Sequence, residues 1–596
     1  MNLPTNPQNH TIFSLLSALA ALALSMPATT AVAQFEAKMD EGRTQLEVVT
    51  AEEGEYNDAR AYRLQDFEEL PYGFYVNGGL ESPVLENDFG RFVFGPATDD
   101  TPTRLENGAL NVYRGGLIDV MPSPAHPEAF NVFAANLTDA GKPRVRIEAT
   151  EVKQLANGQA SVVTTGVDSN QEFVEVRTEY LMRKDVPGVL VTTTVTNTHE
   201  SNEAQGILPS DFLLWGSMGA FVPGEGWING RQSMEDVEFV FGRWEDIWMV
   251  VAPETGTFSN VRVANEFTNL QYGEEITLEP GETRLWRRWV LVGDHDPAYL
   301  LSFVYANRPN AETGILVGRV IEREESPDGQ MIDKGPVADT EIFITPLGRD
   351  DYNDTQRPRL GKPYLIAKTT ARGEFNAVLP VGSYHVFPAP QTRLAPKPNR
   401  ATRVEKGKVT GLDFGTSKPY QFQYQIIDKD TGERIPGKLT FEALRGTRPV
   451  NFGPSGNVQA GNVMFSSHGA GMIELPPGNY RVVASRGPEY NTDSKRITVR
   501  QDFQMQGEVF ELERAFDTPG WIAADIGVRT DASAASRVSA EARVVTAVAE
   551  GVEWLVTGDS GVATDLEPAV NRLGLSRFIK TSPGYRRSGS RAPFTG

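Results

Sequence analysis

The 596-residue chain has no cysteine, which excludes a disulfide framework and any thiolate metal centre. Its stability must therefore come from ordinary apolar cores. Positive charge is in short supply: 57 Lys and Arg face 78 Asp and Glu, for a net charge of −21 and a pI near 4.9. That balance argues against nucleic acid as a partner, because binding phosphate backbones takes clustered cations. Histidine is scarce as well, with six in the whole chain. Only one long hydrophobic run exists, and it lies at the N-terminus, so no membrane span is expected in the mature product. With 40% hydrophobic and 23% charged residues, the composition is that of a folded globular protein.

The single apolar run covers residues 12–26 and is followed by Pro27 and then by Ala31-Val32-Ala33 before Gln34. A short apolar stretch, a breaker and small residues at the cleavage position read as a secretory signal over residues 1–33. The run is too short for a comfortable span, and no Lys or Arg precedes it. A periplasmic or secreted, soluble product is expected.

Residues 45–310 read as β. β-branched or alternating stretches such as 144–149 and 189–195 are separated by Gly, Pro, Asn and Asp turns. The stretch 180–197 runs from an apolar-polar strand through Lys184-Asp185-Val186-Pro187-Gly188 into a β-branched strand, and resembles the large supersandwich of the galactose-mutarotase-like superfamily. Six of the eight tryptophans, Trp215, Trp227, Trp244, Trp248, Trp286 and Trp289, fall in the second half of this block. Aromatic faces suit the C–H surface of a sugar ring, which makes Trp215, Trp227, Trp244 and Trp248 candidates for stacking on a glycan. The competing reading is that they fill a large β core. Catalysis of the mutarotase kind has little support, since His126, His199 and His295 lie in no recognisable motif. A short amphipathic helix is expected over 297–306, with Asp296 at its start.

Two small domains follow, 311–418 and 419–515, marked by an internal repeat. Leu379-Pro380-Val381-Gly382-Ser383-Tyr384 in the first matches Leu475-Pro476-Pro477-Gly478-Asn479-Tyr480 in the second. Each places a Pro-x-Gly turn between two strands with a tyrosine on the returning one, which resembles the carboxypeptidase-regulatory or transthyretin-like β-sandwich. Opening strands are expected at 315–321, 337–344, 422–427 and 438–443. The loop Asp428-Lys429-Asp430-Thr431-Gly432-Glu433 alternates oxygen-bearing side chains, but lacks the completed calcium pattern and reads as a polar turn.

The terminal segment, 516–596, carries the most specific pattern. Ser485-Arg486-Gly487-Pro488-Glu489-Tyr490 is followed by Gly520-Trp521 with Asp525, then by Thr557-Gly558-Asp559-Ser560. In that order the residues resemble the CehA/McbA-type metallohydrolases of the polymerase-and-histidinol-phosphatase (PHP) superfamily, over about residues 419–583. The resemblance implies a divalent metal such as zinc or manganese, with His ligands at the ends of the first two strands. Here those positions hold Gly527, Arg529 and Ser560, and a later acidic ligand aligns with Arg586. Asp525 and Asp559 are kept, in places where the family uses them to support the site. Glycine offers no ligand, and an arginine repels a dication by roughly 4 kcal/mol per unit charge at 4 Å and an effective dielectric of 20.

The expectation is therefore no metal and no catalytic residue. The Arg486–Glu489 stretch reads as a rigid turn closed by an internal ion pair. Locally, residues 522–526 suit a strand, 538–550 a helix with Val544, Val545 and Val548 inward and Gly551 as its stop, and 552–556 a second strand. Part of a second helix completes the piece, and roughly 75 residues after Gly520 are too few for a closed α/β barrel of about 250.

The fold class is thus mainly β: a supersandwich, two β-sandwiches and a partial PHP-barrel-like α/β segment. Three functions are compatible with this sequence. One is an exported, non-catalytic binding or scaffold protein with a glycan or protein partner. A second is a metal-dependent hydrolase of phosphoesters, amides or carbamates, if the product is longer or a partner completes it. The third is a carbohydrate-binding protein acting through the first block. The oligomeric state is left open by the sequence.

Overall fold

A computed structural model describes residues 33–40, 43–50 and most of 56–586; the longer stretches outside the description are 66–79, 96–114, 123–129, 348–362, 394–400, 453–457 and 500–504. The expected signal, 1–33, lies outside the described residues except for Ala33. The protein is mainly β, built of antiparallel sandwiches with few helices.

The chain divides into two compact units. The first holds a sandwich of two nine-stranded antiparallel sheets. One sheet has Thr283–Gly293 and Gly188–Asn197 at its middle; the other is centred on Ser210–Leu214 and Val132–Asn136. Strands such as Val174–Arg183 alternate buried and exposed residues, as the sequence pattern requires of a sheet with one covered face. Val162, Val191, Phe92, Phe133, Met249 and Leu270 belong to the core between the sheets.

A buried ion pair lies in this core. Arg288 donates from Nε to Asp211 Oδ2 at 2.8 Å and from Nη2 to Oδ1 at 2.5 Å, with both side chains fully buried. Thr193 and Tyr272 supply further hydrogen bonds to the pair. Burial pushes the Asp211 carboxyl up, while the adjacent guanidinium pulls it back.

The expected helix spans Pro297–Asn307, capped by Asp296 Oδ1, which accepts from Tyr299 N at 2.7 Å. It differs from an amphipathic surface helix. Ala298, Leu300, Leu301, Phe303, Val304 and Tyr305 are all buried, because the helix shares one apolar core with Trp248 and Leu291 of the large sandwich and with Ile342, Leu365 and Phe375 of the first small one. The second oxygen of Asp296 accepts from Lys368 N at 2.8 Å.

Each small sandwich repeats one corner. Glu374–Pro380 pairs with Thr313–Glu325, whereas Gly382–Ala389 pairs with Glu341–Pro346 in the opposite sheet. In the second unit, Ala470–Leu475 pairs with Tyr420–Asp428, and Gly478–Ser485 with Gly437–Ala443. The Leu-Pro-x-Gly-x-Tyr motif is thus where the chain passes from one sheet to the other. Both tyrosines fix it in the same way: Tyr384 Oη donates to Pro380 O at 2.8 Å and Tyr480 Oη to Pro476 O at 3.0 Å. The Asp428 loop is a polar turn, as read, with Asp428 Oδ1 accepting from the backbone N–H of Asp430 and Thr431.

The second unit ends in a three-stranded parallel sheet of Ala524–Val528, Trp554–Thr557 and Lys580–Ser582. Helix Ala540–Ala549 joins the first two strands and Glu567–Arg572 lies between the second and third. The third strand was not anticipated, since three residues with two hydroxyls and a lysine give no apolar period to read. Val544, Val548, Leu555, Leu566, Val570 and Ile579 form the small core between helices and sheet.

Candidate functional site at the ends of the parallel strands

In a parallel sheet, the carboxyl ends of the strands are where loops and helix N-termini converge and where ligands are held. The positions singled out by the sequence meet at this edge. Gly527 ends the first strand with φ +88°, and the pairing slips between Ile526 and Val528, so the strand carries a bulge there. Gly558, at the end of the second strand, lies so near that a Cβ on it would sit 2.6 Å from the Cα of Gly527. Ser560 stands in register with Arg586 in a short parallel pair.

The two acids of the sequence pattern, Asp525 and Asp559, have different surroundings. Asp559 is fully buried, and both its oxygens are occupied by Thr530, through the backbone N–H at 2.6 Å and the hydroxyl at 2.8 Å. It fastens the end of the first strand to the second. Asp525 is exposed and lies in register with Leu555, which faces the helices. Between them comes Arg543, from the first turns of the Ala540–Ala549 helix, with Nε donating to Arg529 O at 3.0 Å. Burial lowers the Arg543 pKa from its ordinary value, and the charges of Asp525 and Asp559 act in the opposite sense. Arg543 was not picked out in the sequence. The only signal for Arg543 was a basic residue early in a helix that prefers acids there.

No group of three or more His, Asp or Glu positioned to hold a metal occurs among the described residues. Chemically, this edge offers a resident guanidinium beside two carboxylates, one of them already satisfied.

The turn at 485–490 requires a correction. Arg486 and Glu489 do not pair with each other. Arg486 is buried and donates from Nη1 to Pro436 O at 2.8 Å and Val548 O at 2.9 Å. The last carbonyls of a helix lack internal partners, and a cation satisfies them while meeting the negative end of the dipole. Glu489 instead binds Arg514 at 2.6 Å and Thr518. Gly487, at φ +61°, lets the turn touch the helix end: a Cβ there would lie 2.1 Å from Glu550 O.

The tryptophans separate by burial. Trp215 and Trp248 are 3% and 1% exposed, so neither has a face to offer a sugar, and Trp215 Nε1 is tied to Thr268 Oγ1 at 2.7 Å. Trp244 is on a strand, but its side chain lies outside the described residues. Trp227 is 39% exposed and packs edge-on against Phe221 and Phe241. Close to it in sequence, a cavity of about 370 Å³ is lined by Glu225, Glu235, Asp236, Glu238 and Tyr364. Tyr364 Oη donates to Glu238 at 2.7 Å. His126 and His295 lie outside the described residues, and His199 Nδ1 accepts from the backbone of Ser201 and Asn202 in a local turn.

No protein-family model and no curated protein matches the chain. Solved structures give partial likenesses. The shaft pilin SpaA of Lactobacillus rhamnosus GG is 12% identical over 35% of this chain and 100% of its own, at a TM-score of 0.23. A streptococcal ancillary pilin is 11% identical over 43% of this chain and 80% of its own, at 0.21. A TPR-domain containing protein from Parabacteroides distasonis is 8% identical over 40% of this chain and 55% of its own, at 0.28. None of these likenesses bears on the strand-end chemistry.

Proposed function

We propose that this is an exported, non-catalytic relative of the CehA/McbA-type PHP metallohydrolases, kept as a binding or scaffold protein. The observation that carries the reading is the make-up of the strand ends. Where the resemblance calls for His ligands stand Gly527, on a bulge, Arg529 and Ser560, and Arg543 lies beside the residual acids. A carboxylate that supports ligands does not replace several missing ones, and a fixed cation opposes a second one. Export rests on the apolar run and the Ala31-Val32-Ala33 cleavage pattern. Among the described residues no helix is long and apolar enough to cross a membrane.

The test is metal content after loading with zinc or manganese and dialysis, alongside assays on phosphoester, amide and carbamate substrates. Background values are expected in all of them. Stoichiometric metal that is lost on Asp525→Ala or Asp559→Ala would overturn the reading.

A second reading is favoured by Trp227. It is the one candidate stacking residue, among those whose side chains are described, with an open face, and a cavity of carboxylates and a tyrosine lies close by in sequence. Hydroxyl-rich ligands use such a pairing of apolar face and polar groups. A glycan-binding screen decides it, with Trp227→Ala expected to abolish any signal; binding unchanged by that variant would place glycan recognition elsewhere.

A further inference from the structure

The repeat in the sequence marks the first small sandwich as a module of its own, and separate domains of one chain ordinarily meet over a modest, polar contact and move independently. Its packing is of another kind. The Pro297–Asn307 helix lies between Ile247–Pro253 and Thr283–Gly293 of the large sandwich on one side and Leu365–Lys368 and Glu374–Pro380 of the small one on the other. Along Thr283–Gly293, Val290 and Val292 belong to the core of the large sandwich. Trp289 and Leu291 point the other way and are buried in one apolar core with Ile342, Leu365 and Leu379 of the small sandwich. Opening the small sandwich alone would expose the large sheet's share of that core. Each such side chain left in water weighs about ten- to hundredfold against the opening.

Polar groups fasten the same seam. Glu238 Oε2, from the large sandwich, lies 2.7 Å from Tyr364 Oη of the small one and 3.2 Å from Tyr305 Oη of the helix, and the two hydroxyls are 2.5 Å apart. All three pieces thus meet at one carboxylate oxygen. Arg308, at the helix end, donates from Nη2 to Pro253 O at 3.0 Å, and Arg243 pairs with Glu341 across the seam. The ring of Phe239 stands edge-on to that of Tyr364 at 5.4 Å.

We propose that the large sandwich, this helix and the first small sandwich form one cooperative body in which neither sandwich opens without the other. The first independent boundary along the chain then lies near residue 415, where the second compact unit takes over, and not near 310. The cavity lined by Glu238 and Tyr364 is built on the seam, so its walls are held by the same coupling. The inference stands apart from the metal and glycan readings.

Amide hydrogen exchange of the full chain across sub-denaturing urea tests it. In the parent, Val174–Arg183 and Gly188–Asn197 of the large sandwich and Glu341–Pro346 and Gly382–Ala389 of the small one are expected to converge on one opening transition. Small-sandwich amides that exchange through a separate opening, with the large sandwich still protected, would overturn the proposal. Two variants sharpen the test. Arg288→Met acts inside the large core and should lower protection in both sandwiches by the same factor, at least about hundredfold, while Gly437–Ala443 and Gly478–Ser485 of the second unit stay within about twofold. Tyr364→Phe is milder, keeping the ring and removing the hydroxyl at the seam; both sandwiches should lose protection together, by about tenfold. Loss confined to the sandwich that carries the replaced residue, in either variant, rules out a shared body.

Discussion

The large sandwich and the terminal sheet solve the same problem unequally. In the first, two nine-stranded sheets bury their inner faces on one another, and the core is closed enough to hold an ion pair with no solvent exposure at all. In the second, two helices cover one face of a three-stranded sheet, and the other face leaves Trp554 and Ile526 exposed. Apolar residues along a strand therefore say that a face wants cover, and nothing about what supplies it. The difference also sets where polar groups carry weight: deep inside the sandwich at Arg288, but at the margins of the terminal piece at Arg486 and Arg543.

Breaking the buried pair should have the largest effect. Arg288→Met leaves Asp211 without its counter-ion and is expected to lower stability by about 3–5 kcal/mol in denaturant titrations. Adding Asp211→Leu should restore most of that loss, since apolar residues of similar volume replace buried pairs at little cost. A double variant no more stable than the single one would show that the pair's hydrogen bonds, not its charge, are what the core needs. Next comes Arg486→Met, which strips a charged donor from Pro436 and Val548 carbonyls at the join of the second sandwich and the Ala540–Ala549 helix. The expected loss is about 1.5–3 kcal/mol, read by denaturant titration together with faster amide exchange over residues 540–551.

The smallest effect should come from the two corners. Tyr480→Phe and Tyr384→Phe each remove one hydroxyl-to-carbonyl bond, about 0.5–1.5 kcal/mol apiece, measured as shifts in denaturation midpoint. Equal losses would indicate that the repeated motif does the same work twice.

Those corners were legible because their chemistry is local: the tyrosine hydroxyl reaches a carbonyl four residues back. The strand-helix-strand order of the terminal segment was legible for a similar reason, since helical spacing of Val544, Val545 and Val548 and the stop at Gly551 are short-range signals. What could not be read depends on distant partners. Arg486 meets carbonyls 50 and 62 residues away, whereas in sequence Glu489 was the nearer charge. Asp211 and Arg288 are 77 residues apart, and nothing in either neighbourhood marks them as a pair. The tryptophans divided into core and surface only once sheet order fixed which face each occupied. For the candidate site, the sequence located the strand ends and the residues on them, but not Arg543, whose role comes from its helix being laid over those ends.

The glycines at 527 and 558 make the two strand ends intolerant of side chains. Gly527 sits at a backbone angle that costs an L side chain about 1–3 kcal/mol, and its strand end lies where any side chain on Gly558 would have to go. A histidine placed at 527 would find open space around its Cβ but would have to hold that left-handed backbone angle or shift the strand that carries it. A side chain at 527 thus meets an unfavourable backbone angle, and one at 558 meets the backbone of Gly527 itself.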